Sequence, residues 1–164
     1  MRSVSSEGIK KLMEMEAVEL MPYFDQAQKL TIGIGHLLTE NELATGQLFI
    51  DGKFIDWKNG IAREQAMALM AQDIRAAEVV VGSNLRVPLE QHQFDALCFF
   101  CYNVGSSAFV NSTLLKRLNQ GQYESVPGQI RLWVYVTRDG KKVASKGLRA
   151  RREREILIWK GDPK

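Results

Sequence analysis

Ile9, Leu12 and Met13 recur at steps of three and four, and Glu16 continues the series. On a helix these positions share one face, so a carboxylate follows three apolar groups onto the side turned to the core. Pro22 is expected to stop this helix, and Asp25 to fall in the turn that follows. Thr31, Ile32 and Ile34 read as a short strand loosened by Gly33 and Gly35. Residues 37–60 are less regular. LTENELATG reads as a loop, and QLFIDGKFID as a hairpin with Asp51-Gly52 at its turn and arms at residues 47–50 and 53–56. Together with the strand around Thr31 the hairpin is expected to form a small sheet of about three strands.

From Ile61 to Val81 the period is helical, with Ala66, Met70, Ile74, Ala77 and Val81 in register and Gly60 and Gly82 as brackets. The middle of this segment, residues 66–71, is apolar nearly all round, which predicts neighbours on more than one side and a connecting role. The second half reads as helical throughout. Pro88 precedes QHQFDALCFFCYNV, which ends at Gly105, and Ser112 can cap STLLKRLNQ, which ends at Gly121. Tyr123 to Val136 is a third candidate helix, with Pro127 tolerable only near its first turn, and TRDGKK is a turn. Arg149 to Trp159 closes the chain, with Ile156, Leu157 and Trp159 on or near the buried side.

At 164 residues the chain fits one ordinary domain with two lobes, about 1–60 and 83–164, joined by the helix 61–82. No apolar run approaches the roughly eighteen residues of a membrane span, and the opening MRSVSSEGIKK lacks the apolar core of a signal peptide. Cys98 and Cys101 form a Cys-x-x-Cys, but inside the apolar run ALCFFCYNVG they read as core thiols rather than a redox pair. No cysteines or histidines stand at zinc-ligand spacing, so neither a metal nor another cofactor is expected. Charge is uneven. Residues 1–82 carry 8 Lys and Arg against 12 Asp and Glu, residues 83–164 carry 14 against 7, and the basic half points to an anionic partner such as a cell wall, a membrane surface or nucleic acid.

Glu16, Asp25 and Thr31 bring two carboxylates and a hydroxyl within one short stretch. Two carboxylates in different environments are what glycoside hydrolysis requires, one protonated to serve the leaving oxygen and one charged. The spacing is Glu16, eight residues, Asp25, five residues, Thr31, then Ile-Gly-Ile-Gly-His. It closely resembles the catalytic stretch of the phage-type lysozymes, the T4- and P22-like endolysins. The segment from Arg86 to Tyr123 and the closing GLRARREREIL resemble the same family, so the likeness covers most of the chain and is weakest over residues 40–60. Three departures stand out: Ala17 where Gly usually follows the catalytic Glu, Gln28 where a Gly is common, and Ala62 where a capping Thr is usual. A Gly at position 28 signals positive φ, which Gln adopts at a cost.

The resemblance implies an α+β, mainly helical fold of two lobes, with a small sheet in the N-terminal lobe, a long linking helix, a helical C-terminal lobe and the cleft between them. It implies cleavage of the β-1,4 link between N-acetylmuramic acid and N-acetylglucosamine in peptidoglycan. Glu16 would be the general acid, Asp25 the base that takes a proton from water, and Thr31 the holder of that water. Gly33, His36, Leu37, Asn103, Ser112 and Arg151 are the implied binding or supporting positions. Arg151 is expected within ion-pair reach of Glu16, and His36 in a structural pair with Asp73 that raises its pKa. The implied setting is a monomeric enzyme without cofactors that waits in the host cytoplasm for a membrane-permeabilising holin. It then acts on glycan strands in the periplasm. Two rival functions differ in what they need. A lytic transglycosylase would use one acid without Asp25 or Thr31 and release anhydro sugars. A non-catalytic wall-binding or nucleic-acid-binding module would explain the basic half, but the Arg149–Arg154 cluster lacks aromatics interleaved for stacking bases.

Overall fold

The computed structural model describes residues 1–161. They divide into two compact units, one comprising Glu16–Asp73 with Thr137–Lys141, the other Met1–Met15, Ile74–Val136 and the chain from Lys142 on.

Helix α1 spans Ser6–Met15. The Ser5 hydroxyl accepts from the Gly8 amide (2.9 Å) and satisfies one of the donors that a helix start leaves open. The helix ends at Met15, so Glu16 lies one residue beyond it rather than on its last turn. Pro22 is not what stops it. Pro22 sits inside strand β1, Glu19–Phe24, at the edge of a sheet, where a missing N–H need not cost a ladder bond. The pairing of β1 is irregular between Glu19 and Tyr23, the stretch that contains the proline.

Strands β2 (Leu30–Gly33) and β3 (His36–Leu37) complete an antiparallel sheet of order β1-β2-β3. The segment read as a loop holds helix α2, Glu40–Thr45. Thr39 caps it, Glu42 closes a capping box, and Gly46 ends it in the left-handed conformation. Strands β4 (Gln47–Ile50) and β5 (Lys53–Asp56) pair as expected, and both turn residues, Asp51 (φ 49°) and Gly52 (φ 77°), have positive φ. This hairpin is a separate two-stranded sheet, so the three-stranded sheet owes its third strand to β1 and not to the hairpin.

Helix α3 covers Arg63–Asn84. The five positions in helical register, from Ala66 to Val81, are all buried, whereas Met67 and Ala71 face solvent, so the apolar middle is not covered all round. Ala62, which lacks a capping hydroxyl, keeps half of a capping box because the Gln65 side chain accepts from its amide (2.8 Å).

The second unit is built mainly on α4, Gln91–Val104. It continues through the short helices α5 (Ser106–Val110), α6 (Thr113–Leu118) and, after a 3₁₀ turn at Tyr123–Ser125, α7 (Val126–Arg131). Its core holds Phe94, Phe99, Phe100, Phe109, Leu114 and Ile130. Two buried carboxylates tie down the chain's start: Glu78 accepts from the Val4 amide (2.7 Å), and Asp95 accepts from the amide and hydroxyl of Ser5. Gly8 allows that approach, since a Cβ there would lie 2.6 Å from Asp95 Oδ2.

This half is not helical throughout. The expected helix from Tyr123 stops at Arg131, and a hairpin follows. Its strands are β6 (Tyr135–Arg138) and β7 (Lys141–Ala144), turning on Asp139 (φ 50°) and Gly140 (φ 72°). The last helix, α8, runs over Lys146–Lys160 from a Ser145 cap. Ile156 and Trp159 are buried on it, but Leu157 is half-exposed, one step off the buried face.

Candidate active site

Glu16, Asp25 and Thr31 all belong to the unit built on residues 16–73. Glu16 is half-buried just past α1, Asp25 follows β1, and Thr31 lies in β2 at 4% exposure. Asp25 organises the turn it begins. Its Oδ1 accepts from the amides of Ala27 (2.8 Å) and Lys29 (2.9 Å), its carbonyl accepts from the Gln28 amide (3.0 Å), and its own amide donates to the Lys29 carbonyl (2.9 Å). An aspartate oxygen that replaces a backbone acceptor in this way fixes a turn. Gln28 adopts φ +60°, the conformation expected from the glycine it replaces, and carries the steric cost of a Cβ there.

The Lys29 carbonyl also accepts the Thr31 hydroxyl (3.1 Å). One backbone residue therefore holds both side chains, and the Thr31 oxygen, having given away its proton, can act only as an acceptor. Arg138, at the tip of the β6–β7 hairpin, donates Nε to the Gln26 carbonyl (3.0 Å) and braces the same turn. Nothing in the sequence pointed to Arg138.

Across the sheet Tyr23 pairs directly with Thr31, and Thr31 with Leu37. Directly opposed residues share a face, so Tyr23, Thr31 and Leu37 form one cross-strand row. The Tyr23 phenol is held above its ordinary pKa, first by burial and then by the negative charges of Glu16, Glu19 and Asp25. Tyr23 thus lies within the field of both candidate carboxylates. Sequence reasoning missed it because Pro22 was read as a helix stop, which hid the strand.

His36 is buried, with Nδ1 2.7 Å from Asp73 Oδ2 and Nε2 3.0 Å from Glu42 Oε2. The pairing with Asp73 is the expected one. Glu42 is an addition: its Oε2 also accepts from the Thr39 amide (2.8 Å), so one carboxylate both caps α2 and holds the imidazole. Burial pulls the His36 pKa down, but hydrogen bonds and charge from Asp73 and Glu42 outweigh it and the net shift is upward. A raised folded pKa stabilises the fold fully below the unfolded value, and that contribution is lost as pH rises through the folded value. His36→Asn should therefore lower the melting temperature more at pH 5.5 than at pH 8.5. A gap that is equal at both, or wider at pH 8.5, would refute the pair as a source of stability.

The remaining positions differ in setting. Gly33 is buried with φ 72°, while Leu37 is 46% exposed. In the other unit, Ser112 caps α6, donating to the Phe109 carbonyl (2.6 Å) and accepting from the Leu115 amide (3.1 Å). The amide oxygen of Asn103 accepts from Arg152. Arg151 is buried and donates Nε to Glu155 (3.0 Å). Cys98 and Cys101 are free and buried, and burial pushes both thiols up, Cys101 to about 11, which leaves them unreactive. Among the described residues no group of three or more His, Cys, Asp or Glu is arranged to hold a metal, and no helix is long and apolar enough to cross a membrane.

Comparison with known proteins places this geometry in a lineage. The sequence model described as phage lysozyme matches residues 13–155. The endolysin of Salmonella phage P22 is 34% identical over 158 residues, which cover 96% of this chain and 99% of that protein. The SAR-endolysin of Escherichia phage Mu is 34% identical over 92% of this chain and 77% of its own length. Among solved structures, the endolysin from Escherichia coli O157:H7 phage FAHEc1 superposes with a TM-score of 0.78 at 34% identity, covering 99% of this chain and 98% of that one. With the Glu16, Asp25 and Thr31 spacing seated on one sheet-bearing unit and a family match across most of its length, the chain belongs to the phage lysozyme family.

Proposed function

We propose that Glu16 is the general acid, Asp25 the general base and Thr31 the second holder of the attacking water. The reaction is hydrolysis of the β-1,4 bond between N-acetylmuramic acid and N-acetylglucosamine in peptidoglycan. The enzyme is a muramidase of the phage lysozyme family. The observation that carries the assignment of roles is the shared Lys29 backbone. Asp25 Oδ1 is taken up by the Ala27 and Lys29 amides, and Oδ2 takes no part in those bonds. Thr31 has spent its proton on the Lys29 carbonyl. Two acceptors fixed by one residue suit a water molecule, whose two protons satisfy both and whose lone pair is left for the sugar's anomeric carbon.

Glu16, at a half-buried position outside that turn, protonates the leaving oxygen. As the water attacks, one of its protons passes to Asp25, and the sugar is released with inverted configuration. Gly33, Leu37, Asn103, Ser112, Arg151 and the His36 pair support the substrate-bearing surfaces in this reading. The monomeric state and a route to the wall opened by a holin are part of the same proposal and rest on family membership.

A retaining enzyme would use Asp25 as nucleophile, and a threonine that accepts from water would have no task there. Proton NMR of freshly cleaved glycan should therefore show the α-anomer before mutarotation. Early β-anomer would make Asp25 the nucleophile and refute the water-holding role of Thr31.

A further inference from the structure

Tyr23 is the one aromatic side chain on the row that contains Thr31, and the proposed reaction has given it no task. It stands directly opposite Thr31 on β1, as Leu37 does on β3. Opposed side chains in an antiparallel pair have Cβ atoms about 4.5–5.5 Å apart, close enough for a ring to cover its partner. Thr31 is almost fully buried, Tyr23 is half-buried and Leu37 half-exposed, and the last two flank Thr31 on either side within its own sheet.

We infer that Tyr23 is a positioning residue of the hydrolytic water site, acting through Thr31: its ring closes the β1 side of the hydroxyl while Leu37 closes the β3 side. The inference rests on the water-holding role assigned to Thr31 above. An acceptor-only hydroxyl orients a water only if bulk water is kept from competing for the same lone pairs. A flat apolar ring beside it does this without offering a hydrogen bond of its own. No hydrogen bond ties the Tyr23 hydroxyl to another described residue, which leaves the ring as the working part. Burial, and then the acids around it, oppose its ionisation, so no charge develops beside the base.

The test is a double-mutant cycle of Tyr23→Leu and Thr31→Ala, with Tyr23→Phe as the conservative variant, read as kcat and KM on soluble glycan oligomers. Tyr23→Phe should keep kcat within about threefold of wild type, whereas Tyr23→Leu should lose about tenfold to a hundredfold in kcat, the scale of a misplaced reactant. KM should stay within about twofold, and the double variant should be no slower than Thr31→Ala by more than about twofold, because residues acting through one another are not additive. Circular dichroism establishes that each variant is folded, and Tyr23→Met replaces Tyr23→Leu in the cycle if the latter is not. Multiplicative losses would overturn the inference, as would a loss carried by KM, which would make the ring a sugar contact. A Tyr23→Phe variant as slow as Tyr23→Leu would overturn it too, by making the hydroxyl the working part. Near-wild-type kcat from Thr31→Ala alone is a separate result: it removes the water site itself and the assignment of Thr31 with it.

Discussion

Glu16→Gln should abolish wall lysis while leaving the folded protein intact. The amide is nearly isosteric with the carboxyl but cannot give a proton to the glycosidic oxygen. Loss of one general acid costs about 10²–10⁴ in rate, and turbidity clearing of outer-membrane-stripped cells resolves that range. The fold should survive because Glu16 lies one residue beyond α1, half-buried and outside the hydrophobic cluster of its unit. A melting temperature within a few degrees of wild type is expected, since the amide keeps the shape of the carboxyl and an oxygen that accepts hydrogen bonds. The companion Asp25→Asn should behave alike. The replacement keeps an acceptor for the Ala27 and Lys29 amides, so the turn holds, but it cannot take the proton from water. If Glu16→Gln kept more than about a tenth of wild-type activity, the acid would have to be sought elsewhere in the chain.

What the sequence revealed and what it hid follow from the strength of each local signal. The hairpin at Asp51-Gly52 was legible because two consecutive positive-φ residues are a demand that few dipeptides meet. The long helix was legible because five in-register positions over about four turns leave little alternative. Helix α2 carried a full capping box at Thr39 and Glu42, yet it buries no residue. A six-residue helix without an apolar stripe offers no periodicity to read, so its caps were the only signal. Strand β1 was hidden by Pro22, which stops a helix and tolerates a sheet edge equally well; only the pairing partner decides between them. Strands β6 and β7 are largely exposed and polar, with Asp139-Gly140 as their one mark.

The site shows the same limit. Glu16, Asp25 and Thr31 stood out by their spacing within a known family. Tyr23 and Arg138 reach it through strand register and a distant hairpin, neither of which is a property of neighbouring residues in sequence, and Glu42 was marked only by its helix cap.

Glu155→Gln should be the most destabilising single change on α8. Glu155 is fully buried, and its carboxylate accepts Nε of Arg151 (3.0 Å) and Nη1 of Arg152 (2.9 Å to each oxygen). Arg152 is 2% exposed; it also donates to the Trp133 carbonyl (2.8 Å) and to Asn103, and its guanidinium lies over the Phe100 ring. These contacts fix the orientation of the guanidinium, but Asn103, Trp133 and Phe100 bring no negative charge. Guanidinium groups do not shed their proton in a folded protein, so removing the carboxylate charge leaves the buried Arg152 cation without the counter-charge that both Glu155 oxygens supplied. Breaking a buried ion pair by deleting one partner costs about 3–5 kcal/mol. For a chain of this size that is a drop of about 6–20 °C in melting temperature. The effect should not be relieved by added salt, because the pair is shielded from the solvent in which ions screen. Replacing Arg152 and Glu155 together by Met and Leu should recover part of the loss, since a well-packed apolar pair avoids the desolvation cost that the ions carry. A Glu155→Gln variant melting within about 2 °C of wild type would mean that the cluster is hydrated and that Glu155 is not its required counter-charge.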